Sequence, residues 1–119
     1  MSTIVPAFKA YKEHSLDMGT LIVGEVEGFD FAGSTARLRI GRVSGPAWLE
    51  WTSDEPPDDG VFTWDDVERE LKIDLPASAF DSPDVGRYTY QVTIISAAGV
   101  ALSPPLSGEF KVLPVVAPA

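Results

Sequence analysis

Cysteine is absent from the 119 residues, which removes disulfides, thiolate metal sites and cysteine nucleophiles together. Histidine is nearly absent. His14 is the single copy, so one chain cannot build a zinc centre from several imidazoles. It lies between Glu13 and Ser15 in a polar stretch, which reads as surface. Long apolar runs are missing as well: Thr20-Leu21-Ile22-Val23 falls far short of the ~20 residues of a membrane helix. The segment Met1-Ser2-Thr3-Ile4-Val5-Pro6 has no basic stretch followed by an apolar core, so no secretion signal is visible. The expectation is a soluble chain made in the cytoplasm, with no membrane partner. Positive charge is scarce, nine Lys and Arg against eighteen Asp and Glu, for a net charge of −9. Such a field repels phosphate backbones, so no nucleic-acid partner is expected.

Enzyme signatures are missing too. There is no GxSxG, HExxH, GxGxxG or GxxxxGK[ST] pattern. Ser44 in Gly41-Arg42-Val43-Ser44-Gly45 stands one step off the spacing of a nucleophile elbow. No catalytic residue, resident metal or cofactor is expected.

What is present is a period of two. Ala36, Leu38 and Ile40 alternate with Arg37 and Arg39; Leu71, Ile73 and Leu75 alternate with Glu70, Lys72 and Asp74. Tyr88, Tyr90, Val92 and Ile94 share one face of a third run. This is the pattern of strands with one buried and one wet face. Short turn signals separate the runs, among them Ala32-Gly33-Ser34, Glu55-Pro56-Pro57-Asp58-Asp59-Gly60 and Ser103-Pro104-Pro105. Strands are expected near 3–11, 18–26, 35–43, 47–52, 61–64, 69–75, 87–96 and 106–113, with at most a turn or two of helix over Pro76 to Ser82. Seven to eight short strands in one domain predict an all-β, antiparallel, immunoglobulin-like β-sandwich, with an eight-stranded barrel as the competing architecture. Residues 1–14 read as an N-terminal arm and first edge strand, 15–113 as the sandwich, and 114–119 as an extended arm whose prolines prevent a ladder.

Asp84-Val85-Gly86-Arg87-Tyr88 matches the Asp-x-Gly-x-Tyr pattern of a tyrosine corner, in which the phenol bonds back to the chain entering the second-last strand. Asp84, Gly86 and Tyr88 are therefore assigned to architecture. Acids crowd residues 50–70, whereas Arg37, Arg39 and Arg42 form a short basic run, so an acidic end and a basic strip are expected. The acidic loop departs from the spacing of an EF-hand, and a solvated loop is the simpler reading than a calcium site. Trp48, Trp51 and Trp64 cluster in sequence. Strand parity puts Trp51 with Leu49 and Trp48 with Glu50, leaving two readings: core or subunit contact, and a stacking platform for a ligand.

Four segments in order resemble a known family. Gly28-Phe29-Asp30-Phe31-Ala32-Gly33-Ser34-Thr35-Ala36-Arg37-Leu38-Arg39-Ile40, Glu70 to Ala77, Gly86 to Thr93, and Gly99 to Val112 are similar to the small immunoglobulin-like virion domains of tailed phages. That family includes tail-fibre-like proteins and the N-terminal domain of baseplate upper proteins. The resemblance implies a non-enzymatic structural protein of a virion (tail, baseplate, neck or capsid decoration), located in the virion and partnered by other virion proteins in a homo-oligomeric or symmetric assembly. Subunit contacts are then expected from Ile4, Val5, Phe8, Trp48, Val115 and Val116. The alternative is a module that binds a host-surface glycan or protein through Trp51, Trp64, Asp58 and Asp59. A cell-surface immunoglobulin-like domain is disfavoured by the missing signal.

Overall fold

A computed structural model describes residues 7–114 except positions 25, 43, 44, 56, 82 and 104. Eight strands form in order: β1 (Phe8–Tyr11), β2 (Leu16–Ile22), β3 (Thr35–Gly41), β4 (Ala47–Thr52), β5 (Val61–Asp65), β6 (Glu70–Leu75), β7 (Gly86–Ile95) and β8 (Leu106–Leu113). They divide into a five-stranded sheet, β1-β8-β7-β3-β4, and a three-stranded sheet, β2-β6-β5. Pairing is antiparallel throughout except between β1 and β8, which run parallel. The two sheets share no ladder among the described residues, so the architecture is an immunoglobulin-like sandwich and the barrel is excluded.

Alternation determines which residues close the core. Leu38, Ile40, Tyr90, Val92, Ile94, Phe110 and Val112 come from the larger sheet, and Phe62, Leu71, Ile73 and Leu75 from the smaller. Each such side chain contributes roughly 1.5–3 kcal/mol on leaving water. The expected helical piece is a single 3-10 turn, η1 (Ala77–Phe80), which drops Phe80 into the core. The second strand runs Leu16–Ile22, earlier than the expected 18–26. Beyond it, Val23 is buried and its N–H donates to the Arg69 carbonyl at 2.9 Å.

Two bulges break the simple parity. On β2 the partners of Asp74 and Ile73 are Asp17 and Gly19, leaving Met18 as the extra residue, buried in the core. On β4 the partners of Ile40 and Gly41 are Leu49 and Ala47, so Trp48 is the extra residue. An unpaired residue in a bulge re-aims its side chain. Trp48 thereby turns inward beside Leu49 instead of outward with Glu50, correcting the parity expectation. Gly41 makes this possible, because a Cβ there would lie 2.7 Å from Ala47 Cα.

Candidate functional site

The tyrosine corner forms as expected. Tyr88 is buried and its hydroxyl donates to the Asp84 carbonyl at 2.6 Å, just before β7 begins at Gly86. The Arg42 guanidinium stands 5.0 Å over the Tyr88 ring. On the next inward position, burial pushes the Tyr90 phenol up from 10.0 to about 12.

All three tryptophans are half-buried. Trp48 lies among Phe80, Tyr88 and Phe110 at centroid distances of 5.9, 5.7 and 6.0 Å, with its buried Nε1 unpaired. Trp51 packs on Phe62 at 6.2 Å. Trp64 packs on Phe31, 6.5 Å away, and donates to Ser34 Oγ at 3.0 Å. Trp51 and Trp64 therefore serve different parts of the core and share no exposed platform. Trp51 and Asp59 do meet, in a shallow groove of about 400 Å³ between β4 and η1 that Trp48, Pro57 and Pro76 also line. Asp58 is exposed on the same loop. Among the described residues no three His, Asp or Glu side chains converge as a metal site.

Of the expected subunit contacts, Phe8 rests edge-on against Tyr90 at 5.3 Å, and Trp48 fills the core end just described. Both are engaged with their own domain. Ile4, Val5, Val115 and Val116 lie outside the described residues.

The pairing brings together charges far apart in sequence. Lys9 is opposite Lys111, and Lys111 is opposite Arg87, so three cations form one row across β1, β8 and β7. Lys9 and Arg87 are exposed on the outward face, and neither forms an ion pair with a described residue. Glu109 reaches Lys111 at 3.3 Å. Arg37 and Arg39 of β3 point the same way, with Glu50 across from Arg39. Arg39 is already engaged, donating to the Gly45 carbonyl at 2.6 Å. The outward face of the five-stranded sheet thus carries five cations against two carboxylates.

The three-stranded sheet has the opposite sign. Asp17 pairs with Asp74, and Ile22 with Glu70, which in turn faces Asp65 on β5. Lys72 is the lone cation among these four carboxylates. Like charges placed directly opposite on neighbouring strands weaken a sheet, by up to about 1 kcal/mol per pair. Asp17 accepts the Gly19 N–H at 2.7 Å and Asp65 the Val67 N–H at 2.9 Å, so each face holds aligned like charge, with local backbone contacts on the acidic side. Sequence reading located the basic run at Arg37 to Arg42 but missed Lys9, Arg87, Lys111, Asp17 and Asp74. These stand singly along the chain, and only register aligns them.

No family model matches the chain, and no curated protein matches it. Among solved structures, the crystal structure of CopC from Methylosinus trichosporium OB3b is similar over 93% of this chain and 89% of that one, at 22% identity and a TM-score of 0.46. A likeness at that level assigns no activity. The structure named is CopC and not a phage protein, and the expected virion role, which that likeness does not support, is withdrawn. The host-surface alternative rested on Trp51, Trp64, Asp58 and Asp59. The tail, baseplate, neck and capsid-decoration assignments and the virion location all rested on four segments made of strand and turn residues. Such residues are what any sandwich of this type requires.

Proposed function

We propose that this chain is a non-enzymatic recognition module that takes an anionic protein surface on the outward face of its five-stranded sheet. The observation that carries this reading is the Lys9–Lys111–Arg87 row, uncompensated at two of its three positions in a chain of net charge −9. A chain so short of cations that aligns three of them at about 4.8 Å spacing keeps a focused positive potential inside a negative surround. The neighbouring outward positions, Thr89, Gln91, Thr93 and Ser107, are uncharged and mostly short. They leave the row accessible to a flat partner.

Titrating the isotope-labelled chain with poly-L-glutamate tests this. Amide shifts should concentrate on β1, β8 and β7 and vanish in Arg87→Glu/Lys111→Glu. Shifts spread over the whole surface would refute the reading, as would tighter binding of single-stranded DNA of equal charge.

A further inference from the structure

The row on one face has its complement on the other face of the same molecule. We infer that copies of this chain stack head to tail, with the Lys9–Lys111–Arg87 row of one copy seated on the Asp17–Asp74 pair of the next. This rests on the reading of the cationic face as a recognition surface, and it names a second copy as the occupant. Both rows are cross-strand alignments of like charge that cost their own sheet stability. Apposed, each neutralises the other.

Apolar neighbours match as well. Val61, 40% exposed, continues the acidic row beyond Asp74. Tyr11, 41% exposed, stands two positions along β1 from Lys9, opposite Leu113. Each charged row therefore has an exposed apolar side chain at its margin. Contact between the two faces brings charge onto charge and leaves these side chains able to shed water together.

The size of the smaller face sets the strength. Three strands at about 4.8 Å and six residues at about 3.3 Å give a footprint of about 14 by 20 Å. That is well below the ~800 Å² per partner of a standard stable interface. Association is accordingly of the weak, transient class. Because the two contacting surfaces differ, the geometry is heterologous and a stacked pair keeps one free face of each sign. Chains of copies grow unless the rotation closes a ring.

Net repulsion between two chains of −9 opposes this, and distance decides the balance. Stacked sandwiches have centres about 20 Å apart, two sheet spacings. At about 0.1 M salt, where the screening length is about 10 Å, the net charges are attenuated across that distance while the contacting rows lie within it. At about 1 M salt the length falls to about 3 Å, and the contact itself is lost.

Sedimentation velocity on the full chain, from about 10 µM to about 1 mM, reads this directly. The wild-type weight-average sedimentation coefficient should rise with concentration at about 0.1 M salt and flatten at about 1 M. Arg87→Glu/Lys111→Glu alone and Asp17→Lys/Asp74→Lys alone should each stay monomeric. Their equimolar mixture should associate again, because each retains the face that the other has reversed. A wild-type chain that is monomeric across the range would overturn the inference. So would association that persists in either variant alone, or a mixture that fails to restore it. A monomeric wild type whose β1, β8 and β7 still respond to poly-L-glutamate sinks self-stacking and leaves the recognition face standing. A wild type that also ignores poly-L-glutamate sinks both.

Discussion

Tyr88→Phe isolates one hydrogen bond within an otherwise unchanged corner. The phenol is 7% exposed, and its hydroxyl donates to the Asp84 carbonyl at 2.6 Å. Phenylalanine keeps the edge contact with Trp48 at 5.7 Å and the Arg42 guanidinium at 5.0 Å over the ring. The cost is then the net value of the bond plus whatever stranding the acceptor suffers. Asp84 is exposed and the bond is only partly buried, so the full penalty for a buried orphan does not apply. The expected loss is about 1 kcal/mol. In urea unfolding followed by tryptophan fluorescence, that is a midpoint drop of about 0.5–1 M at unchanged slope. In heat it is about 3–6 °C. Tyr88→Ala removes the ring as well and should cost about 3–5 kcal/mol. A Tyr88→Phe midpoint equal to wild type would refute the corner as a stabilising device. A Phe variant as damaged as the Ala variant would refute the separation of bond from packing.

Two further outcomes follow from Tyr90. Gly108 lies opposite Tyr90 on β8, and an added Cβ would sit 2.7 Å from both Tyr90 Cε1 and its hydroxyl oxygen. Tyr90 is fully buried with Phe8 against its ring, so it cannot yield. Gly108→Ala should lower stability by about 1–3 kcal/mol, read from the urea midpoint; an unshifted midpoint would contradict that close approach. The phenol itself is pushed up to about 12 by burial. The folded state therefore holds a proton that the unfolded chain releases above about pH 10, so this contribution is complete below pH 10 and stability falls between about pH 10 and 12, by up to about 1.4 kcal/mol per unit. Tyr90→Phe should flatten that slope, and phenolate absorbance from Tyr90 that develops near pH 10 with the fold intact would overturn the assignment.

The fold was largely legible because burial on one face forces a period of two, and that period survives in the sequence. Tyr88, Tyr90, Val92 and Ile94 alternate without fault, and β7 spans Gly86–Ile95 as the pattern requires. The tyrosine corner was legible because its residues are local, with four positions separating donor and acceptor. Trp48 was not, because a bulge adds a residue on one strand and leaves no mark in the alternation. Gly41 was the available clue. Its backbone lies too close to Ala47 for any side chain, but the sequence says nothing of which strand comes near. The setting implied by the phage resemblance was not legible for a related reason. Gly28 to Ile40 and Gly86 to Thr93 record turn and strand chemistry, which identifies a sandwich and not a biological setting.

Charge shows the same limit more sharply. Along the chain the acids of residues 50–70 dominate, and they suggested one acidic end. Folding disperses that block: Glu50 goes to the five-stranded face, Asp65 and Glu70 to the three-stranded face, and Asp66 accepts the Gly33 N–H at 2.7 Å. Meanwhile Lys9, Arg87 and Lys111, separated by most of the sequence, become nearest neighbours because β1 docks parallel to β8 and β8 antiparallel to β7. A one-residue slip of β8 would turn Lys111 into the core and bring Phe110 out. The burial of Phe110 and Val112 therefore fixes Lys111 outward, and the register against Phe8 and Tyr88 places it in the row. The opposite signs of the two faces are in this way enforced by the hydrophobic core, and a change that shifts the core register would abolish the cationic row without touching a single charged residue.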